Sequence, residues 1–350
     1  MRTILCALPF LIHTIVFGLF ITNDLISDAI RGNFIGNLCF FFMVLTTIFL
    51  VDSEEMRERF ILITYKSLVI ILNYVFITNL SEVRHPKYWI EALIGGERWK
   101  TAFGGIHANF TGYLCLVCII FTLLAFEIYS KNDLYSVRRG NILILTTLPV
   151  IIILLSTGSR SNSISFYMIV IFYLFLKRKV FVGKYKLLLD CFIVIVVIVL
   201  AATAVKAEIF SFIWEESNRV ENLETNLPVF KEMDAWWTGM GYVSMDGFAE
   251  DVFTGYDTWN IDMYYHYIFF ATGIVGSIMI FSPMLYMLIK YIMNFIKYGR
   301  ATTLIIYLVL LFNAYWQVNF FVYRFYASLP IIVYLLTELG VDGEKRNNSR

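Results

Sequence analysis

Residues 140–177 read GNILILTTLPVIIILLSTGSRSNSISFYMIVIFYLFLK. Two apolar runs, 140–157 and 161–177, meet at Ser156-Thr157-Gly158-Ser159-Arg160, a cluster of turn-forming and helix-capping residues. Each run approaches the roughly 17–25 residues that a helix needs to cross a hydrocarbon core of ~30 Å. We read the stretch as a tight helical hairpin that crosses a bilayer twice.

Working outward, further apolar runs fall near 4–22, 33–51, 60–79, 109–128, 186–205, 262–289, 301–318 and 324–340. With the hairpin they give an all-α polytopic membrane protein of about ten transmembrane helices. We expect one transmembrane domain, 1–350, with large outer loops at 80–108 and 206–261. Composition agrees: the chain is 59% apolar and 16% charged, against about 45–50% and 25% for soluble domains. Its 32 Phe and 22 Tyr suit lipid-facing and interfacial positions. The run 4–21 follows only Arg2, precedes no A-x-A site and leads straight into more spans, so no cleaved signal is expected.

Lysine and arginine set the orientation. With a cytoplasmic N-terminus, the short inner segments hold 17 of them and the longer outer segments 10, while Lys66 lies inside a span. Both termini are then cytoplasmic. The net charge of +1 gives no sign of nucleic acid as a partner. Loop 206–261 carries eleven acids against three bases, with Trp214, Trp236, Trp237 and Trp259 interleaved. Aromatic faces beside carboxylates make a sugar-handling surface; a solvated interfacial belt is the alternative. Loops of this length without structure of their own are usually functional.

Cys6, Cys39, Cys115, Cys118 and Cys191 sit in apolar runs and read as packing residues. They lack the partners of a disulfide framework or a metal site. Asp24 and Asp28 lack D-x-D spacing, so no metal and no cofactor are expected. His13 and His85 read as structural.

Arg160 carries the most chemical information. It stands where a helix opens amid Ser159, Ser161, Asn162 and Ser163, and a helix N-terminus favours anions. A guanidinium adds bidentate phosphate geometry; the alternative is an arginine snorkelling to headgroups. Asp262 opens the eighth span, and His266 lies one turn on along the same face. That pair could deprotonate a hydroxyl, or serve as a cap and a packed side chain. Arg98, His107 and Asn109 flank the fourth span, Arg219 lies in the long loop, and Arg324 begins the last span. Gly273-Ile274-Val275-Gly276 reads as a small-residue pair for close helix contact.

Three stretches in this order resemble the O-antigen polymerase and ligase superfamily of bacterial membrane glycosyltransferases. Arg98-Trp99-Lys100-Thr101-Ala102-Phe103-Gly104-Gly105-Ile106-His107-Ala108-Asn109 is similar to its arginine, Gly-Phe-Gly and Asn segment. Leu155-Ser156-Thr157-Gly158-Ser159-Arg160-Ser161 is similar to its Ser-x-Ser-Arg-Gly turn, with Ser161 in place of the glycine. Trp237-Thr238-Gly239-Met240-Gly241-Tyr242, followed by Asp262 to Gly276, resembles its Gly-x-Gly and terminal Thr-Gly-Ile-x-Gly elements. Asp262-Met263 stands where the ligases have His-Asn, which favours the Wzy-type repeat-unit polymerases.

The resemblance implies a GT-C-like helical bundle in the bacterial inner membrane. It implies an enzyme that joins oligosaccharide units carried on undecaprenyl diphosphate, metal-independently, at the outer face. In this reading Arg160 and Arg219 hold the diphosphate, with Arg98 and Arg324 in support. His107 and Asn109 line the substrate site, and Asp262, aided by His266, activates the acceptor hydroxyl. Partners would be the lipid-linked oligosaccharide, membrane lipid, a chain-length regulator and a flippase. The competing readings are a flippase or transporter of a lipid-linked saccharide, an O-antigen ligase and a non-catalytic assembly subunit.

Overall fold

A computed structural model describes residues 41–49, 53–89, 100–105, 107–130, 136–177, 236–239, 263–316 and 328–340, with isolated positions within 8–38 and 224–234. Among these residues all regular structure is helical. The principal helices are α1 (Glu54–Thr78), α2 (Ala108–Ser130), α3 (Ser136–Ser156), α4 (Arg160–Lys177), α5 (Tyr264–Tyr298), α6 (Ala301–Trp316) and α7 (Leu329–Gly340). They overlap the apolar runs expected from 60 to 177 and from 262 to 340, with α1 beginning earlier at Glu54 and α5 running on past 289 to Tyr298, and residues 317–318 and 324–327 of the last two runs fall outside the described residues. A further helical stretch at 41–49 lies within the run 33–51. The run 186–205 and almost all of 4–22 fall outside the described residues.

By length and composition, α1, α2 and α5 can each cross a membrane; the 142–156 part of α3, α6 and α7 are shorter apolar helices. The chain divides into two compact units, residues 51–213 and residues 1–50 with 214–350.

In the 51–213 unit, α2 is the central helix and touches α1, α3 and α4. Its residues Tyr113 and Cys115 to Cys118 are fully buried, the two cysteines as free thiols. Uniform apolarity around a helix is what burial on all sides requires. By contrast α1 has two faces. Ile61, Tyr65, Val69 and Leu72 are buried, while Met56, Ile63, Ile70, Tyr74 and Ile77 are 40–69% exposed. An apolar face this continuous is costly in water and at home in hydrocarbon. Side-chain hydrogen bonds cross between helices: Tyr65 Oη pairs with Thr146 Oγ1 at 2.9 Å, Asn73 Nδ2 donates to the Thr146 carbonyl at 2.9 Å, and Thr122 pairs with Thr147 at 3.2 Å. Such bonds fix helix register where lipid offers no hydrophobic drive between helices.

The other unit holds α5, α6 and α7, tied by tyrosines. Tyr265 donates to the Leu311 carbonyl (2.9 Å), Tyr307 to that of Met284 (2.8 Å) and Tyr291 to that of Leu335 (2.7 Å). Helix α5 is broken at Gly273 (φ 62, ψ −162) and stops at Gly299 in the left-handed conformation, a usual helix terminator.

Candidate functional site

The hairpin turn between α3 and α4 is the polar centre of the 51–213 unit. Ser156 closes α3, Gly158 turns the chain at φ +68, and Arg160 opens α4. Ser156, Thr157, Ser159, Asn162 and Ser163 are all buried, so their polar atoms require partners inside the protein.

Partners come from the segment between α1 and α2, from the first turn of α2 and from within the turn itself. Ser156 Oγ accepts the Arg84 N–H at 3.2 Å and the Trp89 indole N–H at 3.1 Å. The Ser156 carbonyl accepts the Thr101 hydroxyl at 2.7 Å, and Thr157 O accepts the Thr101 N–H at 3.4 Å. Asn162 donates from one amide nitrogen to the Asn109 carbonyl (3.0 Å) and to Ser159 Oγ (2.9 Å). Gly112 permits this approach. A Cβ there would lie 2.9 Å from Asn162 Nδ2 and 3.2 Å from both Ser159 Cβ and Thr157 Oγ1.

The Phe103-Gly104-Gly105 segment turns just before α2. Phe103 and Gly104 both take positive φ (49 and 68), and the Phe103 N–H donates to Glu82 Oε2 at 2.6 Å. A non-glycine residue in this conformation costs free energy that surrounding contacts must offset. Burial of the Phe103 ring and this charge-assisted bond do so. Thr111 Oγ1 closes the turn by donating to the Ala102 carbonyl at 2.9 Å.

Of the residues singled out from sequence, His107, Asn109 and Arg160 lie at this one end of the unit. His107 is exposed, and its Nδ1 accepts the Asn109 N–H at 3.2 Å. Arg160 and Asn109 are half-buried. Arg98 falls outside the described residues. Trp89 and Gly112 went unnoticed in the sequence, and Ser156 and Thr101 were read only as members of the turn and of the 98–109 stretch; Asn162, read as a cap, ties α4 to α2.

The second cluster lies in the other unit. His266 sits half-buried in the first turn of α5. Asp262, Arg219 and Arg324 are outside the described residues, as are Trp214 and Trp259. Gly239 and Gly273 interlock: a Cβ on Gly239 would stand 2.3 Å from Thr272 N, and one on Gly273 would stand 2.6 Å from Trp237 C. At the break the Ile274 and Val275 N–H groups donate to the carbonyls of Trp236 (2.8 Å) and Trp237 (3.2 Å). The glycine expected to serve helix–helix contact thus receives the backbone of a loop segment instead. Phe230, Trp236, Phe269 and Phe270 form an aromatic cluster beside it, with Phe230 centred 5.2 Å from each of the other three rings. Trp237 points outward, 64% exposed.

No family model, curated protein or solved structure matches this chain.

Proposed function

We propose that the chain is a bacterial inner-membrane protein of about ten spans that polymerises oligosaccharide repeat units carried on undecaprenyl diphosphate. One observation carries the reading. Two sequence stretches some 50 residues apart, the 98–109 segment and the 155–161 turn, meet through the bonds of Ser156 and Asn162 at the start of α4. The third stretch also has its parts in contact, Trp236 to Gly239 against Ala271 to Val275.

The chemistry requires stabilisation of a departing diphosphate, and preorganised donors are the usual means. Arg160 at a helix N-terminus is suited to that role, with Arg98, Arg219 and Arg324 in support. In the reaction the acceptor sugar hydroxyl attacks the anomeric carbon of the growing chain. The bond from that carbon to the phosphate oxygen breaks, and undecaprenyl diphosphate leaves. Asp262, aided by His266, takes the hydroxyl proton. Trp237 offers an exposed aromatic face to a sugar ring.

The broken α5 favours a second reading, a transporter, because discontinuous helices often form transport sites. At this break, however, the Ile274 and Val275 N–H groups already have carbonyl acceptors. Deleting the gene separates the two. Loss of the surface-glycan ladder with a single repeat unit retained on the lipid acceptor supports a polymerase. Bare acceptor supports a flippase or ligase, and an unchanged ladder overturns the proposal.

A further inference from the structure

The segment between α1 and α2 brings a second arginine to the hairpin turn. Arg84 donates its backbone N–H to Ser156 Oγ at 3.2 Å, and Ser156 stands four positions before Arg160. Four residues span at most about 14 Å when fully extended. Gly158, at φ +68, turns the chain between them and shortens that path. Arginine carries its planar fork on a long methylene stem, so two arginines rooted this close together can reach one small anion.

The backbone on both sides of Arg84 is fixed. Before it, the Val83 N–H donates to the Leu80 carbonyl at 3.2 Å. After it, His85 Nδ1 accepts the Lys87 N–H at 3.3 Å, and the His85 carbonyl accepts the Tyr88 N–H at 2.9 Å. The Trp89 indole then returns to the same Ser156 hydroxyl at 3.1 Å. Arg84 itself is half-buried and its Nε is buried. An arginine snorkelling to headgroups does the reverse, covering its stem and leaving its head in water. A guanidinium held in advance loses less freedom when a ligand arrives.

The two arginines stand on separate elements of the 51–213 unit, Arg84 on the segment before α2 and Arg160 on the first residue of α4. One fork pairs with two oxygens of a single phosphate. Two forks suit an anion with two phosphates, and a monophosphate leaves one of them idle. We propose that Arg84 is a second diphosphate-binding residue of this site and, with Arg160, makes it selective for a lipid diphosphate over a lipid monophosphate. The inference rests on the polymerase reading, in which the leaving diphosphate is held at this turn, and adds the residue that sets its selectivity.

The test uses the full chain in nanodiscs of neutral lipid, with binding of undecaprenyl diphosphate, undecaprenyl monophosphate and undecaprenol measured. The unchanged chain should bind the diphosphate about tenfold or more tighter than the monophosphate. Arg84→Ala should weaken diphosphate binding about tenfold or more and change monophosphate binding much less. This variant keeps the backbone N–H that Ser156 accepts, so its melting temperature should hold. Arg84→Lys should recover part of the preference, since lysine keeps the charge and loses the fork. If Arg84→Ala fails to accumulate, Arg84→Gln, closer to arginine in length, is read in its place. Equal affinity of the unchanged chain for the two phosphates would overturn the inference. So would an Arg84 variant that binds the diphosphate normally, or one that loses both phosphates alike. In each of these cases a loss of binding in Arg160→Ala keeps the polymerase reading standing. A chain that binds the diphosphate no better than undecaprenol overturns both.

Discussion

Replacing Gly273 by alanine inserts a methyl group where backbone already sits. The new Cβ would lie 2.6 Å from Trp237 C and 2.7 Å from the amide nitrogens of Thr238 and Gly239, none of which can rotate away. The dihedrals φ 62 and ψ −162 fall in a region that is essentially glycine-only, costing another residue about 1–3 kcal/mol. If the 236–239 segment lifts off, the bonds from Ile274 and Val275 are lost as well, at about 1 kcal/mol each. The sum is about 3–5 kcal/mol, all local to the break. Amide hydrogen exchange reads it directly, because opening free energy sets protection. Exchange at Ile274 and Val275 should accelerate about 10²–10³-fold, since each ~1.4 kcal/mol is tenfold. Gly299→Ala serves as the control. It has the same sign of φ (+66) but nothing within 4 Å of its Cβ, so only a backbone cost of about 1–2 kcal/mol applies. If Gly273→Ala leaves protection at the break unchanged, the interlock does not exist in the folded protein.

Gly112→Val should push the 157–162 turn off α2, costing about 1–3 kcal/mol of overpacking; glycan polymerisation should fall while membrane insertion stays normal. Ser156→Ala removes the acceptor of Trp89 and Arg84. Losing the acceptor of these half-buried donors costs about 1 kcal/mol, and limited proteolysis should cut the segment before α2 faster. Arg160→Ala should abolish the ladder at normal protein level, with Arg160→Lys retaining part of it, since lysine keeps the charge and loses the bidentate fork. Tyr291→Phe should cost only about 0.6 kcal/mol, the average for a hydrogen bond between membrane helices, and shift the melting temperature slightly.

The helices were legible because long apolar runs have few other solutions, and the 156–160 break was legible because serine, threonine and glycine interrupt the run. What escaped was how polar atoms pair across the fold. Asn162 looked like a cap because caps are local, yet its amide reaches Asn109 on another helix. Gly273 looked like a helix-contact glycine because the letters TGIVG read the same whether the neighbour is a helix or a loop. Its positive φ and the carbonyls of Trp236 and Trp237 are tertiary facts. Lys66 was visible only as an interruption inside a span; its outward direction follows from which side of α1 the other helices cover.

Ser156 gives the 51–213 unit a built-in optical gauge. The Trp89 indole is one hydrogen bond from Ser156, the last residue of α3, which stands four positions before Arg160. Any ligand that tugs on the start of α4 must strain or release that bond, altering the surroundings of the ring. The emission of Trp89, isolated by replacing the other six tryptophans with phenylalanine, would report occupancy of the turn without a label.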